Sequence, residues 1–417
     1  MTAAPTTALP GRGWLGLAMR LFRGSWLDDR PWRTILIYSV LAALPLLIWI
    51  HLACARGGFW RAWRLQAPLP PDGSLRRRIV AVVPARNEVE GIGAAVTSLL
   101  NQRDCGSIRV VVVDDGSTDG TAETATSAAA AVGASERLTV IPGKPLAAGW
   151  TGKLWAMAQG VEVAMRHEPD YLLFTDADIQ HDATNVASLV VNAERHGRDL
   201  VSYMVRLSTA TLAERCLIPA FVFFFLKLYP PAWIASSRHR TAGAAGGCVL
   251  LRPRALERMG GLQSIRGEII DDCALARHVK RSGGSIWLGL TPTTHSIRVY
   301  GTFGQIGAMI SRTAFNQLRH SYRLLIGTLL GLLVTYLLPC LLMLAPVAGA
   351  RWLGAAAWLV MSICYWPMVR FYRLSPAWSV CLPLIACFYA GATCNSALQH
   401  FLGRGGQWKG RVQDSRA

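Results

Sequence analysis

Charge is what this sequence has little of. Only 16% of the 417 residues are Asp, Glu, Lys or Arg, while 52% are hydrophobic. A soluble domain ordinarily carries about 25% charged residues, so the balance points to a membrane protein. Acids are the scarcer sign, 25 against 43 Lys and Arg, which leaves a net charge of +18. The ten cysteines form no CxxC pair, and Cys340, Cys364, Cys381, Cys387 and Cys394 lie in or beside apolar runs. That spacing excludes a disulfide framework and a structural zinc site. No GxGxxG follows the first strand-like run and no GxxxxGK[ST] occurs, which removes dinucleotide and P-loop readings.

Long apolar runs are what it has instead. Residues 34–55 contain no Lys, Arg, Asp or Glu, and the run reaches the ~20 residues a spanning helix needs. The tail before it, residues 1–33, holds Arg12, Arg20, Arg23, Arg30 and Arg33, too long a basic segment for a signal-peptide n-region; the run is expected to be an anchor rather than a cleaved signal. Three further runs, 324–350, 352–368 and 377–398, crowd the C-terminal quarter, giving about three more transmembrane helices within 324–398. Basic residues follow the first span at Arg56, Arg61, Arg64, Arg76, Arg77 and Arg78. The positive-inside rule therefore expects a multi-pass protein of the cytoplasmic (inner) membrane with its soluble domain in the cytoplasm. Anionic headgroups of the bilayer, not nucleic acid, are the expected partner of the net charge. The basic tail 399–417, with Arg404, Lys409, Arg411 and Arg416, conflicts with three C-terminal crossings, and one run could be re-entrant, with Pro367, Pro376 and Pro383 as weak places.

Between the spans, residues 75–322 read as one soluble-type domain. "RIVAVVPARNE" is a β-branched run ending at Pro84, and "GIGAAVTSLLNQ" follows at helical spacing. The unit repeats in "IRVVVVDDGSTDGTAETATSAAAAV", and again from "RLTVIPG" through "GKLWAMAQGVEVAMRH" to "YLLFTDAD". Such alternation predicts an α/β, Rossmann-like parallel sheet with helices on both faces. Ligands of these sheets bind beyond the carboxyl ends of the strands, where Glu88, Asp114, Asp115, Asp176 and Asp178 all fall. Adjacent acids after a buried strand repel unless a donor or cation compensates, which singles out Asp115. Asp119 is expected to cap the next helix.

"VVPARNE", "VVVDDGSTDGT", "TDAD" and "IIDD" together, in that order, resemble the successive signatures of family 2 glycosyltransferases, which have a GT-A fold. The resemblance implies a nucleotide-diphosphate sugar as donor, with Asp115 at the nucleobase, and Pro84, Glu88, Lys153 and Asp176 around the nucleotide and its phosphates. It also implies a divalent cation, Mg2+ or Mn2+, on Asp176 and Asp178. A sugar-diphosphate leaving group gains negative charge as its glycosidic bond breaks, and a cation held by oxygens neutralises it. An inverting transfer further needs a carboxylate opposite the leaving group. Asp272 is the expected base with Asp271 in support, and Glu268 the alternative.

The acceptor is written less clearly. "TAGAAGGCVLLRPRALERMGGL" resembles the family's acceptor-side segment, where Gly246 and Gly247 let backbone approach a sugar. His181 reads as a polar loop residue or an acceptor contact, and Cys248 and Cys273 as packing. Residues 217–233 read as an interfacial helix with aromatics at headgroup level, or else as a core helix. The Q/R-x-x-R-W signature of processive and ceramide-type members is missing: "MISRTAF" keeps only Arg312, and "QWKGR" is a similar-looking tail element. "GWTGKLWAMAQG", "AFVFFFLKLYPPAW" and "GEIIDDCALARHVK" are similar to hopanoid-biosynthesis-associated glycosyltransferases of bacteria, which implies a membrane lipid acceptor. A polyprenyl-phosphate or ceramide-type acceptor, with Arg266, Arg277 and Lys280 nearby, is the second reading. A non-catalytic transport or scaffold protein with a vestigial domain is the third.

Overall fold

The computed structural model describes residues 31–62, 76–403, 407–408 and 411–412. Arg12, Arg20, Arg23, Arg30, Arg64, Arg404, Lys409 and Arg416 lie outside that range. After helix α1 (Pro31–Ala55) comes a strand and helix alternation: β1 (Arg77–Ala85), α2 (Val89–Leu100), β2 (Gly106–Asp114), α3 (Thr121–Ala131), β3 (Leu138–Pro142), α4 (Gly152–Met165) and β4 (Tyr171–Phe174). Then follow β5 (Ile179–Gln180), α5 (Asn185–Arg195), β6 (Leu200–Arg206), α6 (Leu212–Leu228), β7 (Val249–Leu251), α7 (Asp271–Arg281), β8 (Ile286–Ser296) and α8 (Phe303–Gln317). The eight strands form one sheet in the order β3-β2-β1-β4-β7-β6-β8-β5, parallel from β3 to β4 and antiparallel at β7.

Alternation along β1 and β2 feeds two cores. Ile79, Ala81 and Val83 point to one face, against Ile92, Val96 and Leu99 of α2. Val80, Val82, Val111 and Val113 point to the other, against Leu154 and Met157 of α4. Gly160 is what lets α4 lie so close, since a Cβ there would stand 2.4 Å from Val82 Cγ1. This second core continues without a break into the apolar helices through Trp49, Phe223, Tyr336 and Tyr365.

Four helices are long and apolar enough to cross a membrane: Trp32–Ala55, Tyr322–Leu342, Ala348–Phe371 and Pro376–Phe401. They correspond to the four expected runs. Residues 217–233 fall largely in α6, which packs into the core shared by the sheet and the apolar helices, as the core alternative expects, and is begun by a Thr211–Glu214 capping box. Its Phe223 is fully buried and meets Phe59 and Tyr365 at 5.2 and 5.1 Å, while Phe224 meets Tyr336 and Tyr389 at 5.6 and 4.8 Å. Aromatic edges from the surrounding helices satisfy these rings better than a headgroup layer would.

The apolar helices are not equivalent. Ala42, Leu342, Ala345 and Ala350 cluster at the end away from the sheet, joining the first three, and no residue of 376–401 belongs to that cluster. At the sheet end, Arg206 donates to the Tyr372 carbonyl at 3.3 Å. The fourth helix runs along α8, where Ser311 Oγ donates to the Ala392 carbonyl, and finishes with His400 stacked on His320 at 4.0 Å. It therefore ends beside the start of the second helix, on the sheet side.

Candidate active site

The carboxyl ends of β1 and β4 and the start of α7 open onto a cleft of about 320 Å³, lined by Pro84, Glu88, Asp176, Asp178, Glu268 and Asp271 together with Lys153, Arg298 and Arg312. Acids separated by up to almost two hundred positions in sequence thus meet because parallel strands all present the same end.

Each acid pair is bridged by a cation. Lys153, at the first turn of α4, places Nζ 2.9 Å from Asp176 Oδ1 and 3.1 Å from Asp271 Oδ2. Burial alone would depress the lysine, but the two carboxylates outweigh it and raise its pKa, so it stays charged. The same pairing overcomes the burial of Asp176 and holds that carboxyl below its ordinary range. Arg298, just beyond β8, donates from Nη2 to both oxygens of Glu88 at 2.7 and 2.8 Å and from Nε to Asp178 Oδ2 at 2.9 Å. Ser296 Oγ donates to the same Asp178 oxygen at 3.1 Å. Sequence reasoning missed Arg298: a lone arginine after a strand carries no signal until the fold brings β8 beside β5. Arg312, noted only as a remnant of another signature, faces this cleft too.

Asp272 stands apart from these bridges. Its two oxygens accept from the Gly246 N–H at 2.8 Å and the Cys273 N–H at 2.6 Å. Burial and the neighbouring Asp271 charge push its pKa up to about 6. A Cβ on Gly246 would come within 3.4 Å of Asp272 Oδ2 and of Lys153 Nζ, so the glycine provides the close approach expected of it. Gly247 instead packs on Val205 and Ile179.

Other expected residues land elsewhere. Asp115 sits at the same sheet edge but is 3% exposed and does not line the cleft; Arg86 donates to its carbonyl and lies 3.6 Å from its Oδ2. Asp119 precedes Gly120, the N-cap of α3, and caps that helix from one position back, its Oδ1 accepting from the Thr121 N–H. It folds an Asx turn onto Thr121 and accepts from the Val89 N–H, holding the first turn of the neighbouring α2. His181 is a loop residue, as expected, but a buried one: it lies between Thr175 Oγ1 and Asn185 Nδ2, both at 2.9 Å, and burial lowers its pKa to about 3. Cys248 and Cys273 are buried packing groups, as expected.

Asp176 Oδ2 and Asp178 Oδ1 have no hydrogen-bond or ion-pair partner among the described residues. Hard carboxylate oxygens of this kind fit Mg2+ or Mn2+. Among the described residues no three His, Cys, Asp or Glu side chains converge as a metal cluster, so a bound cation would complete its coordination from another molecule.

Residues 80–260 match glycosyl transferase family 2. The match covers less than half of the chain and runs from within β1 to beyond β7. A stretch of 149 residues is 30% identical to the 4,4'-diaponeurosporenoate glycosyltransferase of Staphylococcus aureus (strain USA300), covering 36% of this chain and 36% of that protein. The chain thus spans about a third of the length of the curated relatives it matches. In fold, it is similar to a mannosyltransferase from Pyrobaculum calidifontis solved in complex with GDP-Man and Mn2+, at a TM-score of 0.51 and 19% identity, covering 86% of this chain and 99% of that one. The likeness extends over the apolar helices as well as the transferase domain.

Proposed function

We propose that this protein is a membrane-bound inverting glycosyltransferase that moves a sugar from a nucleotide-diphosphate donor to a lipid acceptor at the cytoplasmic face of the bacterial inner membrane. The observation that carries the reading is the convergence of Asp176, Asp178 and Asp271 on one cleft, bridged by Lys153 and Arg298, with Asp272 lining the small adjoining cavity that shares Pro84, Lys153, Asp176 and Asp271 with it.

In this reading Glu88 and Pro84, which line the cleft, stand on the nucleoside side, with Asp115 buried behind them at the same sheet edge. A divalent cation held by Asp176 and Asp178 would supply counter-charge to the diphosphate, as Mn2+ accompanies GDP-Man in the Pyrobaculum calidifontis enzyme. Lys153, Arg298 and Arg312 add fixed positive charge where the leaving oxygen gathers its electron pair. Asp272 takes the acceptor hydroxyl proton while that oxygen forms its bond to the anomeric carbon and the bond to the diphosphate breaks. Two backbone N–H groups fix the orientation of the base.

A lipid acceptor is supported by the core shared between sheet and apolar helices, and by the carotenoid-acid name of the Staphylococcus aureus relative. The hopanoid class is supported by sequence resemblance alone. Binding of UDP- and GDP-sugars to the detergent-solubilised protein, with Mn2+ or EDTA, tests the donor half. One donor should bind in a metal-dependent way and be lost in Asp176→Ala; well-folded protein that binds none would turn the reading toward the non-catalytic alternative.

A further inference from the structure

Two regions flank the base and are held in different ways. Beyond the Glu268–Ile270 loop opens a second cleft of about 1040 Å³, where Arg240, Arg281 and Arg319 are exposed and screened by solvent. Glu268 lines both clefts, with Ile269 on the donor side and Ile270 on the far side, so that loop is the wall between them. Behind the floor of the donor cleft the polar groups are instead buried. Thr175, His181 and Asn185 are 1%, 5% and 3% exposed, and none of them lines that cleft.

These three side chains form one directed series of hydrogen bonds. Thr175 Oγ1 donates to the Gly247 carbonyl at 2.8 Å, and a carbonyl can only accept. The single hydroxyl proton of Thr175 is thereby used, so the 2.9 Å contact between Thr175 Oγ1 and His181 Nε2 takes its proton from the imidazole. His181 is therefore the Nε2–H tautomer, and its bare Nδ1 accepts from Asn185 Nδ2 at 2.9 Å. Only the neutral ring satisfies both contacts, and burial favours the same form. The backbone N–H of His181 donates to Ser98 Oγ of α2 at 3.0 Å, which fixes the residue from a third side.

The series joins the two halves of the site. Thr175 immediately precedes Asp176 at the carboxyl end of β4, and Gly247 immediately follows Gly246, whose N–H donates to Asp272 Oδ2 at 2.8 Å. We infer that Thr175 and His181 are positioning residues, which lock the strand end bearing Asp176 to the turn that orients Asp272 and so fix the spacing between the metal-binding acid and the base. Both act through their neighbours rather than on the substrate. Asn185 sets the tautomer, and through it the direction in which Thr175 donates. The inference rests on the transferase reading and adds the element that keeps its donor and base halves in register. Ser202 Oγ holds the adjacent Ala245 by its N–H and its carbonyl, at 2.8 and 3.2 Å, so the turn keeps a second anchor when this one is cut.

The test uses the full chain in phosphatidylcholine nanodiscs, with isotope-labelled histidine. Nitrogen NMR, with His181→Gln to identify the signal, should show a neutral Nε2–H ring that does not titrate between about pH 5 and 8. An Nδ1–H ring, or a titration inside that range, would overturn the lock whatever the protein catalyses. The second readout is binding of GDP-mannose and UDP-glucose with Mn2+ and with EDTA, alongside Tm. His181→Asn can reach Asn185 but not Thr175, whereas His181→Gln puts an amide N–H where Nε2 was. The Asn variant should lose about tenfold in metal-dependent affinity, the lower end of what partners of metal ligands contribute, and the Gln variant should stay within about threefold of the parent. Thr175→Val should match the Asn variant, and combining the two should add little. Equal affinities in the Asn and Gln variants, or losses that follow Tm instead of the N–H, would make His181 a packing group and sink the inference. The acidic limb of nucleoside diphosphate release should also move upward in His181→Asn, since a loosened Gly246 N–H favours the Asp272 carboxylate less. An unmoved limb would cut the base out of the lock. Parent protein that binds neither donor sinks the transferase, and the tautomer of the ring then decides the lock separately.

Discussion

The two clefts on either side of the Glu268–Ile270 wall solve opposite electrostatic problems. In the donor cleft every acid pair has a built-in counter-ion, Lys153 for Asp176 and Asp271, Arg298 for Glu88 and Asp178. Beyond the wall three arginines are left uncompensated among the described residues. A balanced site is organised before any ligand arrives, whereas exposed arginines are left to solvent. Asp272 belongs to neither pattern. It has backbone donors but no ion pair, and burial with the Asp271 charge shifts its carboxyl up against the pull of Lys153, while the Lys153 pairing shifts that of Asp176 down.

The largest effect should come from removing that unpaired carboxylate. Asp272→Asn keeps its size and one acceptor oxygen, so donor binding should persist while turnover falls by at least ~100-fold, the scale of general-base loss. Turnover within a few-fold of the parent would remove Asp272 as base. Glu268, on the partition between the clefts, would then be the next candidate.

Breaking the balance itself should register in stability. Lys153→Met leaves Asp176 and Asp271 facing each other without their cation. Loss of one partner from a buried pair costs 3–5 kcal/mol, and with Asp176 37% exposed a discounted figure of about 2 kcal/mol is appropriate. That lowers Tm in detergent by roughly 4–8 °C, and adding Asp176→Asn should restore part of it. Across the wall, Arg281→Gln removes an exposed, unpaired charge and should move Tm by no more than ~1 °C. Equal losses from both substitutions would erase the distinction between the clefts.

How much of this was legible beforehand follows from the range of the interactions. The strand and helix alternation, the fold class and the acids at strand ends are local patterns, and period and turn residues suffice to read them. Lys153 could be noticed at a helix start, but its pairing with Asp271 depends on the first turn of α7 lying beside the first turn of α4. Arg298 depends on a sheet order in which the last strand, β8, returns beside the short β5. The same holds for α6: its sequence resembles an interfacial helix, and only the rings from other helices reveal a core position. Asp119 shows the limit most simply, since a capping residue can serve a helix thirty positions earlier. The fourth apolar helix met every length criterion for a crossing, yet its last turn lies against His320. Hydropathy measures what a segment tolerates, whereas its route is set by packing on α8.

The smallest effect is the most discriminating for the base. Burial and the Asp271 charge both disfavour the Asp272 carboxylate and bring its pKa to about 6, so as a base it is active above that value and turnover should rise with pH through a midpoint near 6. Asp271→Asn removes the like charge and leaves the burial. The acidic limb should then move below 6, toward but not reaching the ordinary aspartate value of about 3.9. A pH profile of kcat for the two proteins measures the shift directly. An unmoved limb would mean that Asp271 does not govern the base, and a limb moved upward would mean that the titrating group is not Asp272.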